Sequence, residues 1–380
     1  MRIKLKKIFL AIFLLTIAIH AQTFTVTFRV EAHNLNDSEK VFIAGNQGEL
    51  GDWSPGAIEL NKISASYREI TCTFPAGTEL AFKFTKGSWE KEAVYKAGEI
   101  PSDFTLTVTK DTVFFTRIEM WRNGGGAYTP PDTVTGTVEF IRNVSGTGVR
   151  PRDIVIWLPP DYYKNPDERY PVLYMHDGQN LFNPALSSFG RDWQLDETSD
   201  SLIRNGITQP FIIVGIYNTQ ARYIEYSDND TGQSYMRFIT ETLKPMIDMK
   251  YRTLPGRENT ATGGSSMGGL ISFMLLWEHN DVFSKAMCMS PAFSYRDFDY
   301  TAKVLTQKDK DRDMIAYIDN GGIALELVLQ PGVDKMLSVL EARKYVKNKD
   351  FYCYIFPEAE HNEPAWAKRT HIALKLFFGR

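Results

Sequence analysis

The chain has 380 residues, 43% apolar and 23% charged, the make-up of a globular protein with length enough for two domains. Its net charge of −3 gives no basis for nucleic-acid binding. Three cysteines, Cys72, Cys288 and Cys353, are too scattered and odd in number for a disulfide scaffold, and they predict three buried free thiols.

In chain order, the opening stretch "MRIKLKKIFLAIFLLTIAIHA" comes first. Arg2, Lys4, Lys6 and Lys7 precede an apolar run from Ile8 to Ile19, and Ala21 follows. A charged start, a short apolar run and a small residue at its end predict a signal peptide over 1–21. The run is too short to span a bilayer easily. Loss of its four cations, with no acid lost, would take the net charge from −3 to −7. No later stretch is long and apolar enough to cross a membrane. The mature chain is therefore expected to be secreted or periplasmic, without a membrane anchor.

Residues 22–120 read as all-β. "FTVTFRVEA", "KVFIAG", "REITCTF", "LAFKFTK" and "FTLTVT" alternate or are rich in β-branched residues, with turn clusters such as "GNQGELGDWSPG" between them. Such spacing predicts a small β-sandwich. "WRNGGGAYTPPDTVTG", 121–136, then joins three glycines to two prolines and reads as a linker.

From 137 to 380 strands alternate with helices. "DIVIWLP", "YPVLYMHDG", "FIIVGIYN", "NTATGGS", "KAMCMSP", "MIAYIDN" and "FYCYIFP" are strand candidates. "ETLKPMIDMKY", "MGGLISFMLLWEHN", "VDKMLSVLEARKYV" and "PAWAKRTHIALKLFF" are helix candidates. Near-continuous apolar strands between helices predict a mostly parallel sheet covered on both faces.

One junction in this region carries chemistry. Gly264-Ser265-Ser266-Met267-Gly268 fits G-x-S-x-G between a strand and a helix. The turn would lift the Ser266 hydroxyl above the sheet edge and leave the Met267 N–H at a helix start, free to donate to an oxyanion. The competing reading is a serine that merely caps the helix.

A base follows by elimination among six histidines. His20 leaves with the leader, and His33 lies in the first domain. His279 is over ten residues along the helix from Ser266, roughly 15 Å or more. His176 ends an early strand, and His371 is inside the last helix. His361, in the loop "PEAEHNEPAW" after the last strand, fits the order nucleophile, acid, histidine. For the acid, the stretch after "MIAYIDN" offers Glu326, a few residues past the Gly321-Gly322 turn. Asp334, expected in the next helix's first turn, and Asp319, at the strand's end, are the alternatives. The second oxyanion donor is expected from "HDGQNLF", at the Gln179 N–H. Scattered histidines imply no metal and no cofactor.

These residues resemble a known family. "VIWLPPDY", "YPVLYMHDGQNLF", "GGSSMGGL", "YIDNGG" and "EAEHNEPAWAKR" are similar to the Putative esterase group of the α/β-hydrolases, which includes esterase D, feruloyl and acetyl xylan esterases, enterochelin esterase and mycolyltransferases. The resemblance implies an α/β-hydrolase fold over 137–380 with Ser266 as nucleophile and His361 as base. It also implies an acid a few residues after the glycine of the penultimate strand's loop, at a spacing slightly expanded here. Residues 22–120 resemble a family-20 starch-binding module through "VFIAGNQGELGDW" and "PAGTELAFKFTKGSWE". That resemblance implies a sugar site at Trp53, Lys83 and Trp89, although the gap between Lys83 and Trp89 is short for the family. The expectation is an exported serine esterase acting on an acylated carbohydrate, acetyl or feruloyl. Alternatives are hydrolysis of a siderophore or small ester, acyl transfer to a sugar, or an inert glycan-binding surface protein.

Overall fold

The computed structural model describes residues 22–380 except 33–34, 36–37, 65, 95–102, 119, 122–133, 185, 189–190, 296–297 and 308–312. The leader expected at 1–21, His20, His33 and most of the Gly/Pro stretch lie outside the described residues. The chain divides into two compact units between Ala127 and Tyr128.

The first unit is built from two four-stranded sheets. In one, Thr23–Ala32 pairs antiparallel with Tyr67–Pro75 and parallel with Thr112–Ile118. In the other, Phe42–Gly45, Glu79–Thr85 and Phe104–Thr107 run antiparallel, with Ile58–Glu59 at the edge. Alternation does the sorting. Val26, Phe28 and Val30 are fully buried, while Thr25, Thr27 and Arg29 point away from the core. The Phe28 and Phe82 rings, one from each sheet, meet edge to face at 4.8 Å. The strand Thr112–Ile118 was not among the sequence candidates. Trp121, assigned to the linker by composition, instead pairs with Ala93 and is buried.

In the second unit one sheet has eight strands: β1 (Thr137–Gly146), β2 (Val149–Leu158), β3 (Val172–His176), β4 (Ile212–Ile216), β5 (Thr260–Ser265), β6 (Lys285–Met289), β7 (Ile315–Gly321) and β8 (Phe351–Phe356). Their order is β1-β2-β4-β3-β5-β6-β7-β8. Only β2 runs against its neighbours β1 and β4; the remaining pairs are parallel. Alternate side chains of the same strands feed two cores. Ile154, Ile156, Val172 and Tyr174 face helices that include Met267–Glu278 and Leu325–Ala342. Val155, Trp157, Leu173 and Met175 face Leu195–Arg204 and Glu363–Phe378. This is the α/β-hydrolase arrangement, and its central strands β3, β4 and β6 are near-continuous apolar runs because both faces are covered.

Two expectations are corrected. Cys288 is buried, but Cys72 and Cys353 are only half-buried; all three are free thiols. The helix expected to begin at Val333 begins at Leu325 and runs through Pro331. An interior proline removes one backbone donor and crowds the carbonyl four residues back, a local cost offset here by burial of Leu329, Val333 and Met336 in the core.

His176 closes β3 at 1% exposure, with Nδ1 2.9 Å from the Tyr235 hydroxyl. Burial pushes its pKa down to about 3, against the opposing pull of Asp177. The folded state thus holds a neutral imidazole that the unfolded chain protonates below its ordinary value of 6.5. The stability gained is fully present above that value and is lost as pH falls toward the folded pKa. Replacing His176 with Gln is expected to flatten the dependence of unfolding free energy on pH between about 6.5 and 5, by up to about 1.4 kcal/mol per pH unit, the contribution of one proton. Denaturant titrations at several pH values measure this; a slope unchanged from wild type would mean that the folded protein protonates His176.

Candidate active site

Ser266 sits between β5 and the Met267–Glu278 helix with φ 57° and ψ −122°, a conformation that costs a non-glycine residue energy. The turn is held from both sides. Ser266 N–H donates to the Met289 carbonyl at 3.0 Å, and the Ser266 carbonyl accepts from Ala292 N–H at 3.1 Å. A Cβ on Gly264 would lie 2.8 Å from the Gly268 carbonyl, so strand and helix approach this closely only through glycine. The Ser266 side chain makes no capping bond to its own helix, so it is not a helix-capping serine. Ser265 faces the other way, buried in the strand.

Gly321 and Gly322 close β7. A Cβ on Gly321 would meet the Ala359 carbonyl oxygen at 2.3 Å and Glu326 Cγ at 2.7 Å. Their absence lets the chain fold back, so that Glu326 enters the first turn of its helix aimed at the loop after β8. Glu326 is fully buried. His361 Nδ1 lies 3.2 Å from Glu326 Oε1, at ion-pair distance but at an angle outside good hydrogen-bond geometry, and has no other polar partner. Oε1 also accepts from the Ser290 hydroxyl at 2.7 Å, and Oε2 accepts from the Gly321 N–H at 2.9 Å. Burial alone would raise this carboxyl; the bonds from His361, Ser290 and Gly321 outweigh it and hold it below the usual range.

The two alternative acids lie elsewhere. Asp334 is exposed on the same helix, bonded to Gln330. It sits in the middle of that helix, rather than in its first turn as its sequence position suggested. Asp319 is fully buried beneath Ser290, 3.2 Å from Arg369 Nη2, and accepts from the Tyr317 hydroxyl at 2.8 Å. Burial pushes it up to about 6 despite Arg369. Ser290, Trp366 and Arg369 were missed from sequence. The two helix residues lie at the end of "EAEHNEPAWAKR", three positions apart on one face.

Met267 N–H is in the first helical turn, where it has no intrahelical acceptor. The turn holding Gln179 follows β3, the neighbour of β5. It comes close to the same helix start: a Cβ on Gly268 would lie 3.3 Å from Asp177 Oδ2. Asp177 is locked by Arg222 Nε at 2.7 Å and Asn218 Nδ2 at 2.7 Å, and the Gln179 side chain is spent on Ser188 and Asn218. Both amides thus border one corner of the sheet's carboxyl edge.

A cluster not read from the sequence is Asp192, Asp196 and Glu197, whose oxygens lie within 4.8 Å of one another. Burial, with Glu197 adding to it, pushes Asp192 up to about 6 and raises Asp196 as well. In the first unit, Trp53 and Trp89 are both half-buried and stand with ring centroids 6.4 Å apart and planes tilted by 38°. Gly56 and Gly87 bring their loops together, since a Cβ on Gly56 would meet the Gly87 carbonyl oxygen at 2.9 Å. Lys83 is buried instead, with Nζ 2.9 Å from Glu92 Oε1 and 3.7 Å from Asp103.

The fold agrees with comparisons to known proteins. Residues 145–375 match the family described as Putative esterase, and residues 23–113 match the starch binding domain family. The chain belongs to the Putative esterase family and carries a starch-binding-type domain at its N-terminal side. It is 28% identical over 132 residues to an endo-1,4-beta-xylanase/feruloyl esterase of Xylanibacter ruminicola, covering 34% of this chain and 18% of that protein. It is 33% identical over 120 residues to a cyclomaltodextrin glucanotransferase of Paenibacillus macerans, covering 30% of this chain and 13% of that protein. Among solved structures, a ferulic acid esterase superposes with TM-score 0.54 and 21% identity, over 64% of this chain and 98% of that one. The enterobactin esterase of Shigella flexneri superposes with TM-score 0.53 and 11% identity, over 94% of each chain.

Gly321→Ala tests the geometry of the acid. The added methyl must displace the Ala359 carbonyl or Glu326 itself, so a destabilisation of about 1–3 kcal/mol is expected. Urea unfolding of the variant reads it; stability equal to wild type would mean that the turn relaxes freely and does not constrain Glu326.

Proposed function

We propose that the second unit is a serine esterase in which Ser266 attacks the ester carbonyl. The observation that carries this reading is the strained, uncapped Ser266 bonded to Met289 and Ala292, with Glu326 anchored to the same segment through Ser290 and His361 Nδ1 3.2 Å from Glu326. His361 Nε2 takes the hydroxyl proton as the Ser266 Oγ–carbon bond forms. Glu326 stabilises the imidazolium through Nδ1. The carbonyl oxygen becomes an oxyanion held by the Met267 and Gln179 N–H groups. His361 then passes the proton to the departing alkoxide, and water, activated by the same histidine, releases the acid.

The proposed substrate is an acyl group, acetyl or feruloyl, on a carbohydrate. The starch-binding-type domain and the partial likeness to a xylanase/feruloyl esterase support that choice. The charged and apolar opening of the chain supports export. Trp53 and Trp89 would present two indole faces to the apolar C–H faces of a sugar. Lys83, engaged with Glu92, would serve the site by fixing its strand rather than as a free donor.

Fluorophosphonate labelling tests the nucleophile. Ser266→Ala is expected to lose labelling and at least about 10³-fold in ester hydrolysis while melting like wild type, whereas Ser265→Ala keeps activity. Glu326→Gln should lower kcat with little change in KM, and Asp334→Asn should be near silent. A dead Ser265→Ala, or a silent Glu326→Gln beside a crippled Asp334→Asn, would reverse these assignments. Acid released from small or siderophore esters, but from no acylated oligosaccharide, would move the substrate away from carbohydrate.

For the first unit, Trp53→Ala and Trp89→Ala in the full chain are each expected to weaken glycan binding by about 1–3 kcal/mol, leaving turnover of a small soluble ester unchanged. Calorimetric titration with soluble α-glucans measures this. Lowered melting temperature with no glycan affinity in the parent would make both indoles packing residues only.

A further inference from the structure

We propose that Ser290 is a positioning residue that determines which nitrogen of His361 carries the proton. The inference rests on the serine-esterase reading of the site and deepens it. Ser290 immediately follows β6, is fully buried, and is held at φ 44°. Its hydroxyl is reached by three groups: Trp366 Nε1 at 3.0 Å, Arg369 Nη2 at 3.1 Å and Glu326 Oε1 at 2.7 Å. An indole N–H and a guanidinium can only donate. They occupy both lone pairs of the hydroxyl, and its single proton is left to point at Glu326.

The consequence passes along the chain of bonds. Glu326 Oε1 accepts from Ser290, and Oε2 accepts from the backbone N–H of Gly321 at 2.9 Å, another group that can only donate. Two donors that cannot reverse favour the ionised form of Glu326 over the protonated one. An ionised carboxylate can only accept, so Nδ1 of the neutral His361 ring carries the hydrogen and Nε2 keeps its lone pair for the Ser266 proton. The two donors that start the chain are themselves fixed. Arg369 lies 3.2 Å from Asp319, which also accepts from the Ser290 N–H at 3.2 Å and from the Tyr317 hydroxyl at 2.8 Å. Trp366 meets the His361 ring edge to face, with centroids 5.0 Å apart at 82°. The side chain that orients the Ser290 hydroxyl therefore also holds the imidazole plane.

The first measurement uses the wild-type protein. With ¹⁵N-labelled histidine, and His361→Gln to assign the signal, the neutral His361 ring is expected to carry its proton on Nδ1. A neutral ring protonated on Nε2 overturns the proposal. The second uses Ser290→Ala, which removes the donor to Oε1 and leaves the carboxylate held by the Gly321 N–H, so that its protonated form is less disfavoured. Its kcat is expected to fall about 10- to 100-fold with KM unchanged, and the single Nδ1–H signal to give way to a mixture of tautomers. Ser290→Cys, a weak donor of similar size, should recover part of both. Turnover within about twofold of wild type together with an unaltered tautomer in Ser290→Ala overturns the proposal. If Ser290→Ala does not fold, the wild-type tautomer and the Ser290→Cys rate decide. A wild-type protein that takes no fluorophosphonate yet holds the Nδ1–H tautomer would sink the serine-esterase reading while leaving the assignment of Ser290 intact.

Discussion

Glu326 is fully enclosed, and an ionised carboxylate in that position costs several kcal/mol unless each oxygen is answered by a donor. The fold answers with one donor from each of three places: Ser290 just past β6, Gly321 at the end of β7, and His361 in the loop after β8. Strand order makes this convergence available, because β6, β7 and β8 are consecutive neighbours in the sheet. The same turn that carries Ser290 also holds the backbone of Ser266 through Met289 and Ala292. The strained serine and the buried acid are therefore fastened to a single short segment.

Close backbone approach is the second constraint, and it falls on few residues. Gly264 against Gly268 sets the serine turn, and Gly321 against Ala359 sets the acid turn. Gly178 packs so tightly that a Cβ would lie 2.4 Å from the carbonyl carbon of Gly215, which seats the turn of Gln179 beside the sheet. Each of these contacts costs a side chain and gains a fixed position for a neighbouring polar group. Beneath them, the Asp319–Arg369 pair is buried yet bonded on several sides, the condition under which such a pair is tolerated in an interior.

Much of the fold was legible in the sequence because both periodicities were clear. Seven of the eight sheet strands were apolar runs bounded by turns, and the sandwich strands alternated. The strand β1 was not recognised, since its half-exposed residues mix charges with apolar side chains. The helix carrying Glu326 was read as starting eight residues too late, because Pro331 and Gly332 look like a break in one dimension. Tertiary packing overrode that local preference.

The sequence by itself determined the elements, the G-x-S-x-G turn and the loop position of His361, since these depend on residue type and on neighbours a few positions away. Only the tertiary structure decided which of Glu326, Asp334 and Asp319 meets His361. All three carboxyls lie within a short span of chain, but burial and bonding part them: one meets His361, one faces solvent, one pairs with Arg369. Likewise the pairing of Trp53 with Trp89, and the commitment of Lys83 to Glu92, depend on loops that meet across a sheet. Ser290 was invisible in sequence for the same reason. A lone serine between methionine and proline has no signature, and it acquires its role only when Asp319 of β7, Glu326 of one helix, and Trp366 and Arg369 of another close around it.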